Sequence, residues 1–304
     1  MKNRLPEKPA FLFPGVGGEY TGFLDQLDER RGEILQEYRQ VIRQEIGLSL
    51  SGDDRSDKMF WDWIALFTGD CLVYHTYQAW GIKPVVMLGY SMGLITALVC
   101  GRAISFVNGL RLLQTIYVYS RRFAGDNQGM GVIIGKSCSE VAQFIAHLRL
   151  ESDVYIAAEN SDSCIVISGL TAGIGQVLQM AGQSGAIKTA AIKAPNAFHS
   201  PRATGGIESL VRLLDETPVR DSEIPLLSVY NQRIIQKASD LKSELLLNMT
   251  GAMKWKDSIM QLGASGIDGF LEVSPAGELT RMSRVINLEF EFLTYNKIRR
   301  LQNS

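Results

Sequence analysis

Residues 85–101 read VVMLGYSMGLITALVCG. The apolar run VVML lies between Pro84 and Gly89, as in a strand buried on both faces. LITALVC is apolar nearly all round, as in a buried helix. Between them stands the turn Gly89-Tyr90-Ser91-Met92-Gly93, which fits G-x-S-x-G. Its glycines leave room for a tight strand-to-helix reversal that pushes the serine side chain outward. The helix start behind Ser91 supplies unpaired N–H groups and a positive dipole end, suited to a developing oxyanion. The pattern predicts a nucleophile at Ser91; a merely structural turn is the competing reading.

A serine nucleophile needs a base, and the chain has only three histidines. His75 lies inside the apolar run DCLVYHTYQAW and reads as a satisfied core residue. His147, in IAHLRL, reads as a helix-surface residue. His199 follows KAPNAF in a predicted loop, where catalytic groups concentrate. It is the expected base. No acidic residue stands out to orient its imidazole, so a backbone carbonyl or an amide side chain is left for that task. The second oxyanion donor is expected in the turn Pro14-Gly15-Val16-Gly17-Gly18, at the end of another predicted strand, AFLF (10–13).

Working outward, residues 23–50 and 61–80 are expected to be helical, the second mostly buried. Residues 109–123 form another predicted helix. Strand GVII (131–134), a helix from Ser139 as N-cap, strands VYIAAE (154–159) and CIVISG (164–169) about a turn NSDS, a helix from Thr171 and strand AIKTAAIK (186–193) follow. That order, β-α-β-β-α-β, is the ferredoxin-like split unit. It reads as an insertion, because strands PLLSVYN (225–231) and GFLEV (269–273) and helices over 240–264 resume afterwards.

The bulk numbers set limits. A chain of 304 residues suits one large α/β domain or a domain carrying an insertion. With 31 basic against 32 acidic side chains, no overall field favours nucleic acid or an anionic membrane. The N-terminal apolar run before Pro14 is too short for a signal-peptide core, and no stretch is long and apolar enough to span a bilayer. Four scattered cysteines without a CxxC pair suggest free thiols, no zinc and a cytoplasmic setting.

Taken together, these residues resemble the malonyl-CoA:acyl carrier protein transacylase family, the acyltransferases of fatty acid and polyketide synthesis. FLFPGVGGEY is similar to the family's F-P-G-Q-G-S-Q start, and GYSMGLITALVCGRAISF to its G-H-S-L-G-E and buried helix. NAFH resembles the H-A-F-H or G-A-F-H element that carries the base. AAENSDSCIVISG resembles the inserted subdomain's Asn-containing turn, and LLNMTGAMKWKDSI and FLEVSPAGELT the last two signatures. The resemblance implies Ser91 as acyl carrier, His199 as general base and an oxyanion hole from the N–H groups of Met92 and Val16. It places the family's base-orienting amide residue at Asn248, acting through its backbone carbonyl. The implied chemistry is ping-pong: acyl-CoA acylates Ser91, CoA leaves, and the pantetheine thiol of an acyl carrier protein takes the acyl group. CoA and phosphopantetheine thioesters are substrates, and no cofactor or metal is implied.

The departures are specific. The family's first-loop glutamine is Val16, the histidine before the nucleophile is Tyr90, the glutamate after the pentapeptide is Leu94, and the late glutamine is Asn248. Malonyl-specific members carry an arginine on the helix after the nucleophile, paired with the malonyl carboxylate. Counted without gaps from Ser91, that position is Ile116; Arg121 and Arg122 lie five and six residues further on. Removing one partner of a buried arginine–carboxylate pair costs about 2–5 kcal/mol. An uncharged acyl chain would instead gain about 0.8 kcal/mol per buried CH₂. The acyl group is therefore expected to be uncharged and to lie against Ile116, Tyr90, Phe198 and Asn160.

The expected architecture is α/β: an α/β-hydrolase-like catalytic subdomain with a parallel sheet and nucleophile elbow over 1–126 and 200–304, and a ferredoxin-like subdomain over 127–199. An acyl hydrolase that gives the acyl-serine to water uses the same two residues and stays open, as does an ordinary malonyl transacylase using Arg121 or Lys193. A carrier-protein-binding module with little catalysis is the reading from another class.

Overall fold

In the computed structural model the described residues are 5–16, 29–47, 57–122, 127–192 and 194–302. Two sheets organise them. The first begins with β1 (Pro9–Phe13), whose five residues are all buried. Two helices follow, α1 (Glu29–Ile46) and the largely buried α2 (Lys58–Ala79). Then come β2 (Val86–Gly89), α3 (Gly93–Cys100) and α4 (Phe106–Arg122). The continuous apolar character of 61–80 reflects α2 packing between α1, α3 and α4 in the main core.

Strand β1 pairs in parallel with β2, in a register that sets Phe13 beside Gly89. The two loops that leave these strand ends therefore start side by side. Later elements complete the sheet: β7 (Leu226–Leu227), β8 (Ile234–Ile235), β9 (Gly269–Glu272) and β10 (Phe292–Leu293). The order is β10-β9-β1-β2-β7-β8, parallel throughout except for the antiparallel β7–β8 pair. The stretch 225–231 is thus mostly not strand. Only Leu226 and Leu227 pair, because Ser228 turns the chain: its hydroxyl accepts from the N–H groups of Tyr230 and Asn231.

The second sheet is antiparallel, in the order β4-β5-β3-β6. It comprises β3 (Gln128–Ile134), β4 (Val154–Ser161), β5 (Cys164–Leu170) and β6 (Lys188–Ile192), with α5 (Cys138–His147) and α6 (Thr171–Gln183) between strands. This is the expected βαββαβ element order. Two local expectations are corrected. The cap of α5 is Ser137, not Ser139: Ser137 accepts from the Glu140 N–H while the Glu140 carboxylate takes the Ser137 N–H, a reciprocal capping box. The hairpin turn is Asp162-Ser163 alone, so Asn160 sits on strand β4 rather than in the turn.

The remaining helices are α7 (Ile207–Glu216), α8 (Ala238–Thr250), α9 (Trp255–Ala264), α10 (Glu278–Ser283) and α11 (Tyr295–Gln302). The two sheets meet at β4. Met253 forms a bridge with Ala158, and its backbone exchanges hydrogen bonds with Ala157 and Glu159. Lys256 on α9 reinforces the junction through Glu159 and Asp162.

Candidate active site

Ser91 occupies the apex of the β2–α3 turn with a left-handed backbone torsion, φ 54°. A β-carbon there is strained unless neighbours hold it. The neighbours are close. A Cβ at Gly93 would fall on the carbonyls of Phe13 and Pro14, and a Cβ at Gly89 on the backbone of Leu94. Both glycines are therefore required by close backbone approach, which is the physical content of the G-x-S-x-G pattern here. The turn is closed by the Gly93 N–H on the Tyr90 carbonyl and the Leu94 N–H on the Ser91 carbonyl, at 2.9 and 3.0 Å. Met92 immediately precedes α3, so its N–H has no acceptor within that helix.

The 14–16 loop lies against this turn. A Cβ at Gly15 would stand 3.1 Å from the Tyr90 carbonyl and 3.2 Å from Ser91 Cβ. Val16, next along, is half exposed. Gly17, Gly18 and Lys193, which belong to the sequence reading, lie outside the described residues.

His199 sits in the segment that follows β6, 108 residues from Ser91 in sequence, with its Nε2 2.8 Å from Ser91 Oγ. Its backbone is also left-handed, φ 58°. The loop is strapped from three sides. The Ala197 N–H donates to Gln128 Oε1 on β3, Ser200 Oγ donates to the Ala197 carbonyl, and the His199 N–H donates to the Met249 carbonyl at 2.8 Å. The imidazole is buried, and desolvation pulls its pKa down to about 4. At neutral pH it is uncharged and able to accept the serine proton.

The resemblance gives the orienting role to the Asn248 backbone carbonyl. The Nδ1 of His199 is buried without a hydrogen-bond partner among the described residues. The amide Oδ1 of Asn248 accepts from Tyr230 Oη at 2.6 Å. At the end of α8 the Met249 carbonyl meets the base loop.

Tyr90 and Asn160 come together across the two sheets. Tyr90 Oη donates to Asn160 Oδ1 at 3.0 Å, and the Tyr90 ring packs edge-on against Trp255. Burial pushes the Tyr90 phenol up to about 12, so it stays a donor. The sequence signals for this link were faint: Tyr90 stands out only as a departure from a pattern, and Asn160 only as a polar residue in an apolar strand. Phe198 packs half-buried against the main core, which also holds Met92, Leu94 and Ile116. Ile116 is buried on α4, whereas Arg121 and Arg122 are exposed in its last turn. His75 hydrogen-bonds Tyr38 Oη at 2.9 Å, and His147 is exposed, so neither reaches the Ser91 site.

A buried parallel sheet, a serine on a strained strand-to-helix turn, and a neutral histidine in contact with it define a serine-dependent group-transfer enzyme. The family comparison is specific: residues 11–285 match the acyl transferase domain, and the chain belongs to that family. It is an acyltransferase. The malonyl CoA-acyl carrier protein transacylase of Bacillus subtilis (strain 168) is 25% identical, over 92% of this chain and 90% of that protein. The polyketide biosynthesis protein PksE of the same organism is 28% identical over 94% of this chain, which spans 37% of PksE. Among solved structures, the malonyl CoA-acyl carrier protein transacylase of Coxiella burnetii superposes with a TM-score of 0.89 at 24% identity, covering 98% of each chain.

Proposed function

We propose that this acyltransferase moves an uncharged acyl group from CoA to the phosphopantetheine thiol of an acyl carrier protein, through an ester on Ser91. The 2.8 Å contact between Ser91 Oγ and His199 Nε2 carries the reading. His199 takes the hydroxyl proton as Oγ attacks the thioester carbonyl. The N–H groups of Met92 and Val16 hold the resulting oxyanion. Collapse breaks the C–S bond, and the CoA thiolate leaves with the proton from His199. The carrier thiol then attacks the ester, giving its proton to His199, which returns it to Ser91 Oγ. In this scheme His199 is positioned through its backbone by Met249 and through its loop by Gln128.

The acyl chain is assigned to the surface of Ile116, Phe198, Tyr90 and Asn160. Support for an uncharged group is that Ile116 lies in an apolar cluster and that no arginine or lysine is among the buried residues described. The bilobal assignment follows the two sheets: a hydrolase-like catalytic part over 1–126 and 200–304, and a ferredoxin-like part over 127–199. No described helix is long and apolar enough to cross a membrane, and the four free cysteines suit a reducing cytoplasm.

A second reading, transfer of malonyl, is favoured by the activity for which the similar proteins are named. Intact-protein mass spectrometry separates the two. The enzyme is mixed with malonyl-, acetyl- and medium-chain acyl-CoA, with and without a holo carrier protein. An uncharged adduct on Ser91 that moves to the carrier is the expected result. A malonyl adduct that moves instead overturns the uncharged assignment, and an adduct lost to water at the same rate without carrier makes the protein a hydrolase.

A further inference from the structure

A cavity of about 510 Å³ lies away from Ser91. It lies at the opposite end of α3, among α1, α2 and the turn from α3 into α4. An eight-residue helix is about 12 Å long, so this cavity and the serine are separate sites. Neither Ser91 nor His199 lines it. A smaller recess of about 260 Å³ adjoins it and shares His75 and Gln78.

Its walls are sorted by chemistry. The thiols of Cys71 and Cys100, both buried, give an apolar floor. Aromatic side chains line the walls: Phe106 is stacked between Tyr38 and Phe67, at 3.9 and 4.9 Å between centroids, and Tyr74 lies on the other flank. His75 is engaged by Tyr38 and held below its ordinary pKa by burial, so it presents an uncharged polar edge. The rim is cationic. Arg220 is exposed, and its guanidinium has no partner among the described residues. Arg102 carries one loose, exposed pair with Glu223 at 3.3 Å, which solvent screens. Ser105 caps the start of α4 through the Asn108 N–H, and that helix end adds the positive pole of its dipole.

We propose that this cavity is a second ligand site, for a small aromatic monoanion whose flat apolar body fills the floor while its acidic group meets the rim at Arg220 and Arg102. The volume suits such a ligand, since small-molecule sites run from about 300 to 1,000 Å³. Guanidinium groups are matched to a carboxylate or a related oxyanion through paired N–H donors. The aromatic edges of Tyr38, Phe106 and Tyr74 suit a flat apolar body.

Isothermal titration with 2-naphthoate, and with neutral 2-naphthol as its uncharged counterpart, tests the site. One equivalent of naphthoate should bind, at least tenfold tighter than naphthol. Arg220→Glu should weaken it at least tenfold, the side chain being exposed and its backbone bond to Ala103 retained. Blocking Ser91 with a sulfonyl fluoride should leave the affinity unchanged. Loss of naphthoate binding on blocking Ser91 would place the probe in the acyl channel and overturn the proposal. So would equal affinity for naphthol, an indifferent Arg220→Glu, or no binding at all.

Discussion

Ser91 and His199 face one another across 2.8 Å, and each holds a left-handed backbone torsion, φ 54° and 58°. Two strained residues thus meet at one contact, and each is over-determined by its surroundings. Ser91 is fixed by Gly89, Gly93 and the 14–16 loop; His199 is fixed by Met249 and Gln128. Removing either side chain should therefore remove chemistry while leaving the fold. Ser91→Ala is expected to form no acyl adduct by mass spectrometry. His199→Ala should acylate roughly 10²- to 10⁴-fold more slowly, with circular dichroism unchanged.

The buried imidazole sets a pH dependence with a defined sign. His199 has a folded-state pKa near 4, below the unfolded value of 6.5. The acylation rate should be flat above pH 5 and fall as pH drops through about 4, where the base becomes protonated. Stability follows the same direction. Folding favours the neutral ring, so its contribution is complete above pH 6.5 and is lost as pH falls toward 4, about 3 kcal/mol over that window. Urea midpoints at pH 7 and pH 4 for the native protein and His199→Gln should show a smaller difference in the variant. An equal difference in both would refute this.

Two glycines near the serine should respond differently to a methyl group. At Gly93 the new Cβ falls on the Phe13 and Pro14 carbonyls, so Gly93→Ala should cost about 1–3 kcal/mol or more. At Gly15 the contacts are 3.1 and 3.2 Å, tight but tolerable, and they press on Tyr90 and Ser91 themselves. Gly15→Ala should fold with a smaller loss of stability and show a disproportionate loss of acylation rate. Thermal melts beside single-turnover kinetics make the comparison.

Tyr90→Phe removes the donor to Asn160 Oδ1, in a residue only 3% exposed. A buried acceptor without its partner costs about 1–3 kcal/mol. The variant should be destabilised by that amount in urea unfolding, and the double variant Tyr90→Phe with Asn160→Leu should recover part of it. An additive double variant would show that the two side chains are not energetically coupled.

Ile116→Arg would place a guanidinium in the apolar cluster that holds Met92 and Leu94. The expected outcome is a less stable protein whose ratio of malonyl to acetyl adduct on Ser91 rises at least tenfold, a factor worth about 1.4 kcal/mol. An unchanged ratio would mean that this position does not face the acyl group.

Local chemistry was enough to find several parts in the sequence. The apolar runs around Gly89–Gly93 announce a strand and a helix, because burial on all sides demands apolar residues regardless of partner. The shortage of histidines singled out His199 by elimination. The βαββαβ order of 127–199 followed from alternating runs and turns. Cap and turn details did not: Ser137 and Ser139 are equivalent in composition, and only the reach of Glu140 back to Ser137 chose between them. The brevity of β7 was hidden because a buried apolar loop and a buried strand use the same residues.

By itself, the sequence determined the serine turn, the choice of His199 among three histidines as the candidate base, and the isoleucine at position 116, since each depends on which residue type stands at one place. Only the tertiary structure decided which groups touch. The in-register pairing of Phe13 with Gly89 brings the 14–16 loop to the serine, and the end of α8 sets the Met249 carbonyl on the His199 N–H. Among the described residues it also left Nδ1 of His199 without a partner, and it joined Tyr90 to Asn160 across two sheets. Such relations arise from the register of strands and the rotation of helices about their axes, small angular facts that span many residues and leave no mark on the residues between.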